Sequence, residues 1–475
     1  MNNAPIFTAK HFSKVYFCAG ARNEKLLPFF ESSLLEFETD ERIAAFKALG
    51  RSKMSRRPSI VCTTSGTAVA ECLPAALEAK YADIPLIFIT ADRPKKLHGA
   101  GAPQTTNHQD ILHSGVNSFI EIDLKSLAEL FESLFISNKT NIHFPLHINV
   151  LVDDTNDFEF RPTKLNHQDW IPQLTTFLAQ HAPTLFLVSH FERDARPLVQ
   201  LLCDHHVLFY AETLSWGKHL SPIKNETELL KLFHQKKFAS VVRLGHTPLS
   251  KIWRMLENIH LPVFSLDPRG LPALSHGLYA QVGLDELLAL PLPSSNRNFV
   301  EPNIEISFEN AEQRFLANLQ ALLPESSLIY LGNSLAIRNF EWVQTKFFKT
   351  YGNRGLNGID GQLSTAIGLA QETNERVYCL LGDQTTLYDF SSLMNLPPNL
   401  TLIIINNFGG RIFEKLKMDQ RMVLAHNKTF EPIAKALALT YVATTGSTSN
   451  HDLIKCLEQH QIIEVLFHSE QEEML

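Results

Sequence analysis

Short apolar runs alternate with helix-length amphipathic stretches along almost the whole chain, the pattern of α/β layers built on mainly parallel sheets. Runs at 14–18, 59–62, 85–89, 118–122 and 146–150 predict the buried strands of a first block. Runs at 184–188, 207–210, 240–244 and 262–266 predict a second block, and those at 377–381, 402–405 and 462–466 belong to a third. The polar stretch 153–173 and the Pro-, Ser- and Asn-rich stretch 291–302 read as linkers. The expected organisation is three doubly wound domains, at 1–160, 175–292 and 303–475, with no tandem repeat at a solenoid period.

The ends of two runs in the third block carry chemistry. Run 377–381 passes into Gly382-Asp383, and run 402–405 into Asn406-Asn407-Phe408-Gly409-Gly410, with a helix-length segment between. One βαβ crossover of that length brings both ends to the same carboxyl edge of a sheet. Asp383 then supplies a carboxylate, Asn407 an amide oxygen, and the turn at Phe408-Gly409 a backbone carbonyl, a hard oxygen set suited to Mg²⁺ or Ca²⁺ that also holds a phosphate. Either half alone reads equally as turn chemistry at a strand end; the pair outlines a metal-diphosphate site.

In the first block Asp40-Glu41 stands at a strand-to-helix junction, where an acid also serves as an ordinary helix N-terminal charge. Thr64-Ser65-Gly66 opens a second such turn, able to offer N–H groups and hydroxyls to a ligand. It lacks the Gly-x-Ser-x-Gly spacing of a hydrolase elbow, so Ser65 is a poor nucleophile. Arg93 and Gln104 close the next crossover and bring a guanidinium and an amide to the same edge.

Composition narrows the class. At 475 residues, 44% hydrophobic and 20% charged, the chain is globular and long enough for about three domains. A net charge of −7 argues against a general nucleic-acid binder, so acidic substrates would need local basic pockets. Six cysteines fall singly, without a Cys-x-x-Cys pair, as expected of buried free thiols in a reducing compartment. Neither a leader-like apolar region nor a membrane-spanning stretch is present, and a soluble, cytoplasmic protein is expected. Cys203-Asp204-His205-His206 reads as a loop or strand edge rather than a metal site.

Seven motifs together go further: Phe37-x-x-Asp40-Glu41-Arg42, Thr64-Ser65-Gly66-Thr67-Ala68, Thr90-Ala91-Asp92-Arg93-Pro94, Gly101-Ala102-Pro103-Gln104, Gly332-Asn333-Ser334-Leu335, Asn353-Arg354-Gly355-Leu356-Asn357-Gly358-Ile359-Asp360-Gly361 and Asn406-Asn407-Phe408-Gly409-Gly410. In this order they resemble the 2-succinyl-5-enolpyruvyl-6-hydroxy-3-cyclohexene-1-carboxylate synthase (MenD) family of thiamine-diphosphate-dependent enzymes. The resemblance implies a pyrimidine-binding domain first, a shortened central domain without cofactor, and a pyrophosphate-binding domain last. It implies a homo-oligomer, dimer or tetramer, with each active site between two subunits. The implied reaction is decarboxylative carboligation of 2-oxoglutarate with isochorismate in menaquinone biosynthesis.

By the same resemblance Glu41 is the cofactor-activating acid, because a buried carboxyl bonded to the aminopyrimidine ring favours its imino form. Asp383, Asn407 and the Gly409 carbonyl would hold Mg²⁺, with Mn²⁺ or Ca²⁺ as substitutes. Thr64, Ser65, Gly66, Gly358, Gly382, Gln384, Gly410 and Ile412 would surround the cofactor, and Ile359 would be the apolar wedge that bends it. Arg22, Arg93, Gln104, Lys251, Asn333, Ser334, Arg338 and Arg354 would bind the two dicarboxylates, for which arginine forks are suited. The chain departs from the pattern at Ala21, where a hydroxyl is usual, at Ile252, where a second basic residue is usual, and at Phe408, where a third Asn is common. These departures leave open a related carboligase or 2-oxoacid decarboxylase with another acceptor, or a non-catalytic binding protein.

Overall fold

The computed structural model describes residues 5–136, 143–153, 161–249, 251–258, 261–292 and 308–467. Among these residues eighteen strands form three six-stranded sheets in which every neighbouring pair is parallel. The first contains β1 (Val15–Cys18), β2 (Leu35–Glu38), β3 (Ser59–Thr63), β4 (Leu86–Asp92), β5 (Ser118–Asp123) and β6 (Leu146–Leu151). The second contains β7 (Thr163–Lys164), β8 (Thr184–Val188), β9 (Phe209–Ala211), β10 (Ser240–Leu244), β11 (Val263–Asp267) and β12 (Leu278–Gln281). The third contains β13 (Leu328–Leu331), β14 (Lys349–Tyr351), β15 (Val377–Gly382), β16 (Leu400–Asn406), β17 (Tyr441–Thr445) and β18 (Ile462–Leu466). Strands buried on both faces, such as the all-buried β3, β4 and β16, are the continuous apolar runs of the sequence.

The first and third sheets share one topology. Their orders are β2-β1-β3-β4-β6-β5 and β14-β13-β15-β16-β18-β17, so each chain path reverses direction between its first and third strands. Such a switch point opens a crevice at the carboxyl edge, the usual ligand position in open α/β sheets. The middle sheet reverses between β8 and β10.

The stretch 153–173 does not act as a plain linker. Thr163–Lys164 pairs with β12, and Trp170 opens the helix Trp170–Gln180 with its indole in the apolar core of the middle sheet. Two paired residues and one tryptophan among polar neighbours give no periodic signal. Positions 154–160 and 293–302 of the expected linkers lie outside the described residues. None of the six cysteines forms a disulfide, and five of them are buried. Among the described residues no helix is long and apolar enough to cross a membrane.

The middle layer meets its neighbours through both side-chain and main-chain atoms: Tyr210 donates to Glu341 and Thr213 Oγ1 to Gln344 Oε1, both buried. Ala273 N–H donates to the Ala100 carbonyl (2.7 Å), Thr247 Oγ1 donates to the Gly101 carbonyl (2.8 Å), and the Leu249 carbonyl accepts from Arg354 (3.2 Å).

Candidate active site

At the switch point of the third sheet, Asp383 is the first residue of the helix Asp383–Tyr388 and is only 2% exposed. Its Oδ1 accepts from Gln384 N–H (2.6 Å) and its Oδ2 from Gly409 N–H (2.9 Å), with His426 Nε2 at 3.4 Å. Because Gly382 pairs with Ile405, Asn407 emerges beside Asp383 on the adjacent strand. Its Nδ2 donates to Glu312 Oε1 (2.8 Å), while its Oδ1 is buried without a hydrogen-bond partner. An orphaned buried acceptor costs about 1–3 kcal/mol, which a cation would offset. A carboxylate beside a bare amide oxygen is the donor chemistry of a hard divalent ion, so these residues fit Mg²⁺. Gly409, however, reaches Asp383 through its N–H, and its carbonyl accepts from Arg411 N–H (2.9 Å). At φ +145° a side chain there would also press on the Val423 carbonyl, which explains the glycine. Gly410 N–H binds that same Val423 carbonyl, and Ile412 opens the short helix Ile412–Lys415.

At the first sheet, β2 leads into the helix Glu41–Ser55, capped by Asp40, whose side chain accepts from Ile43 N–H (3.0 Å). Glu41 is buried, and burial pushes its carboxyl up to about 8, with Asp360 and Asp40 adding to the rise; its own N–H and the Tyr388 hydroxyl oppose it. That hydroxyl donates to Glu41 Oε2 (3.0 Å). Nearby, Thr39 Oγ1 donates to Gln384 Oε1 (2.9 Å), whose Nε2 donates to the Leu424 carbonyl (3.1 Å). Thr67 Oγ1 donates to Asp360 Oδ1 (2.6 Å). The two sheets therefore meet edge to edge within one chain, where the resemblance implied a site across two subunits. The contacts are reciprocal: in each sheet the residues after the edge strand, β2 or β14, touch the helix after the other sheet's third strand, β15 or β3.

The substrate candidates line the surrounding junction. Arg22, after β1, donates across the first switch point to Ser65 Oγ, next to Thr64 and to Gly66, whose φ of +93° starts the helix Thr67–Glu71. Arg93 stacks 4.5 Å over Trp253 and donates to the Pro103 carbonyl (3.4 Å); Gln104 lies against Gly66. Asn333 Nδ2 donates to the carbonyls of Asn353 (2.9 Å) and Gly358 (2.6 Å), and its Oδ1 accepts from Arg354 (2.6 Å). Arg338 donates to the Ser334 carbonyl (3.2 Å). Burial and the Arg338 charge lower Arg354 to about 10, while the nearby Glu212 and Glu341 oppose that fall. Ile359 is half-buried between Gly358 and Asp360, in the turn that crosses to the first sheet. Lys251 begins a helix, and its side chain lies outside the described residues. Ile252 is buried in the apolar core of the middle layer and Ala21 is exposed, so neither supplies a polar group.

Three residues here escaped the sequence reading. Asp360 had a signal, an acid inside Gly-Ile-Asp-Gly; Tyr388 and Glu312 had none, because each reaches the site through packing of distant segments. At the middle switch point, His190 and His246 have rings 4.9 Å apart and are lowered by burial to about 3 and about 4. With Glu192 they group three potential ligand atoms, but Arg269 and Arg354 make that surrounding positive.

The family described as thiamine pyrophosphate enzyme, N-terminal TPP binding domain, matches residues 6–112, the span that holds Glu41 and Ser65. The 2-succinyl-5-enolpyruvyl-6-hydroxy-3-cyclohexene-1-carboxylate synthase of Bdellovibrio bacteriovorus is 32% identical, covering 94% of this chain and 92% of that protein. The chain belongs to that synthase family. A second synthase of the same name, from Akkermansia muciniphila, is 28% identical over 96% of this chain and 94% of its own length. Among solved structures, the thiamine diphosphate-dependent 4-hydroxybenzoylformate decarboxylase of Rhodococcus jostii RHA1 superposes with a TM-score of 0.48 at 14% identity, over 96% of both chains.

Proposed function

We propose that this chain catalyses the thiamine-diphosphate-dependent, decarboxylative joining of 2-oxoglutarate to isochorismate, the reaction after which its relatives are named. The observation that carries the proposal is that Tyr388, in the helix that Asp383 opens, bonds the proton-retaining acid Glu41, and so joins it to the segment bearing the cation-type pair Asp383 and Asn407. The pyrimidine-binding role belongs to residues 1–160, the pyrophosphate-binding role to 303–475, and 175–292 forms the cofactor-free central domain.

Thiamine diphosphate, when bound, supplies the carbon nucleophile that takes up the 2-oxo acid, allows CO₂ to leave and delivers the remaining fragment to the acceptor. The protein's part is binding and proton placement. Asp383 and Asn407 would hold Mg²⁺ on the diphosphate, and the Gly409 carbonyl would join them only by leaving the Arg411 N–H. Glu41, protonated near neutral pH, would donate to the pyrimidine ring of the bound cofactor from one oxygen while Tyr388 holds the other, Oε2. Ile359 supplies the apolar bend. Arg354 and Arg338, with Arg22, Arg93, Gln104, Asn333 and Ser334, form the carboxylate-reading wall. The reading includes a cytoplasmic, homo-oligomeric enzyme, dimer or tetramer; the Glu41 to Tyr388 contact favours sites completed within one chain.

The test is incubation of the pure protein with thiamine diphosphate, Mg²⁺, 2-oxoglutarate and isochorismate, with mass spectrometry of the products and cofactor omission as control. Cofactor-dependent adduct supports the proposal. CO₂ release without adduct favours the second reading, a carboligase or decarboxylase for another acceptor, for which the exposed Ala21 and the buried Ile252 speak. Neither product overturns both.

A further inference from the structure

Asn407 reaches its position by a hydrogen-bond chain that runs outside the cleft. The Glu309 N–H donates to Gln313 Oε1 (2.7 Å), and Gln313 Nε2 donates to Asn339 Oδ1 (3.4 Å). Asn339 Nδ2 then donates to Glu312 Oε2 (2.6 Å), and Asn407 Nδ2 donates to Glu312 Oε1 (2.8 Å). Each amide in this chain has one permitted orientation. A backbone N–H can only donate at one end and a carboxylate can only accept at the other, so oxygen and nitrogen cannot be exchanged along it. Arg411 Nε donates to the Asn407 carbonyl (2.9 Å) and holds the backbone as well.

We infer that Glu312 is a positioning residue for the metal site: by capturing Asn407 Nδ2 it turns Oδ1, which has no other partner, toward the cation. The inference rests on the metal role proposed for Asn407. Partners of metal ligands outside the coordination sphere commonly govern affinity by 10- to 100-fold. Glu312 stands in the helix Ala311–Leu322, remote in sequence from both ligands, and its other oxygen ties in Asn339 of the helix Leu335–Val343. Metal affinity is thereby linked to the seating of two helices that carry no ligand.

The logic can be inverted by substitution. In Glu312→Gln, the new amide keeps its oxygen for Asn339 and aims its NH₂ at Asn407, which must flip and present NH₂ to the cation. Adding Asn407→Asp restores a donor-acceptor match, because the glutamine NH₂ then donates to a carboxylate that still offers oxygen to the metal.

The experiment titrates Mn²⁺ into the full-length protein with thiamine diphosphate, following free Mn²⁺ by electron paramagnetic resonance and folding by the metal-free thermal midpoint. Glu312→Gln is expected to weaken Mn²⁺ binding at least tenfold with its metal-free midpoint unchanged, and the double variant to recover to within about threefold of the parent. Loss in Glu312→Gln without recovery in the double variant would assign Glu312 to general structural support and overturn the inference. Unchanged binding in Glu312→Gln, with binding lost in Asn407→Ala, would overturn it while leaving the metal role of Asn407 standing. Unchanged binding in Asn407→Ala would remove that metal role and the inference with it.

Discussion

The first and third sheets have the same strand order and touch through reciprocal elements, yet their edges surround a buried acid in opposite ways. Asp383 is surrounded by backbone N–H donors and a histidine, a setting that shares negative charge with a cation. Glu41, 9% exposed, has burial and neighbouring acids against it and keeps its proton to about pH 8. Two buried carboxyls on one topology thus sit in different electrostatic settings, as the different roles proposed for them require. The lesson is that the scaffold supplies a crevice and the loops after the strands decide its use.

The sharpest way to break the comparison is to remove each acid in turn. Asp383→Ala should lower Mg²⁺-dependent cofactor affinity by at least about a hundredfold, since it removes a ligand rather than an outer partner. Glu41→Gln should nearly abolish turnover and leave cofactor affinity within about tenfold. Fluorescence quenching by thiamine diphosphate, alongside turnover, reads both; equal losses of affinity would erase the distinction.

The proton on Glu41 also gives a stability signature. Below pH 4.5 the folded and unfolded chains both hold it; between 4.5 and about 8 only the folded chain does, so stability falls as pH rises and levels off above 8. The fall should be on the order of a few kcal/mol, and Glu41→Gln should lack it. Urea midpoints of the cofactor-free proteins at pH 5 and 8.5 measure this, and parallel behaviour of the two proteins would contradict a proton-retaining acid.

Mixing Glu41→Gln with Asp383→Ala after subunit exchange tests where the two edges meet. Sites within one chain predict no recovered turnover; recovery would mean that the acid and the metal cluster are joined across subunits. Arg354→Ala should raise the substrate concentration needed for half-maximal rate by about tenfold or more, as loss of a charged hydrogen bond worth about 1.5–3 kcal/mol implies, with cofactor binding intact. The smallest effect is expected for Tyr388→Phe. Losing its hydroxyl raises the Glu41 carboxyl further, so the alkaline limit of activity should move upward by an amount set by one hydrogen bond, about 0.5–1.5 kcal/mol. A downward shift would put Tyr388 outside the proton's environment.

Much of this was legible in the sequence where chemistry and strand ends coincide. The apolar runs 184–188 and 240–244 are strands β8 and β10 to the residue, and Asp383 and Asn407 do emerge side by side. Four strands were not legible: β7, β12, β14 and β17 are partly exposed and lack a continuous apolar run, whereas the edge strands β5 and β9 carry one. β13, four buried residues long, is too short for periodicity to tell from a helical turn. Tyr388 and Glu312 stayed hidden because their partners, Glu41 and Asn407, lie far along the chain. The use of the Gly409 N–H in place of its carbonyl depends on peptide orientation, on which composition is silent.

The middle layer holds its neighbours by two kinds of contact: main-chain atoms, such as the Leu249 carbonyl for Arg354 and the Ala273 N–H for Ala100, and buried side-chain pairs, such as Tyr210 with Glu341 and Thr213 with Gln344. A backbone atom survives replacement of the side chain beside it, whereas a buried polar pair leaves an unsatisfied group when one member is replaced. The middle layer is therefore free to vary beside its main-chain contacts and constrained where it meets the third sheet through Glu341 and Gln344.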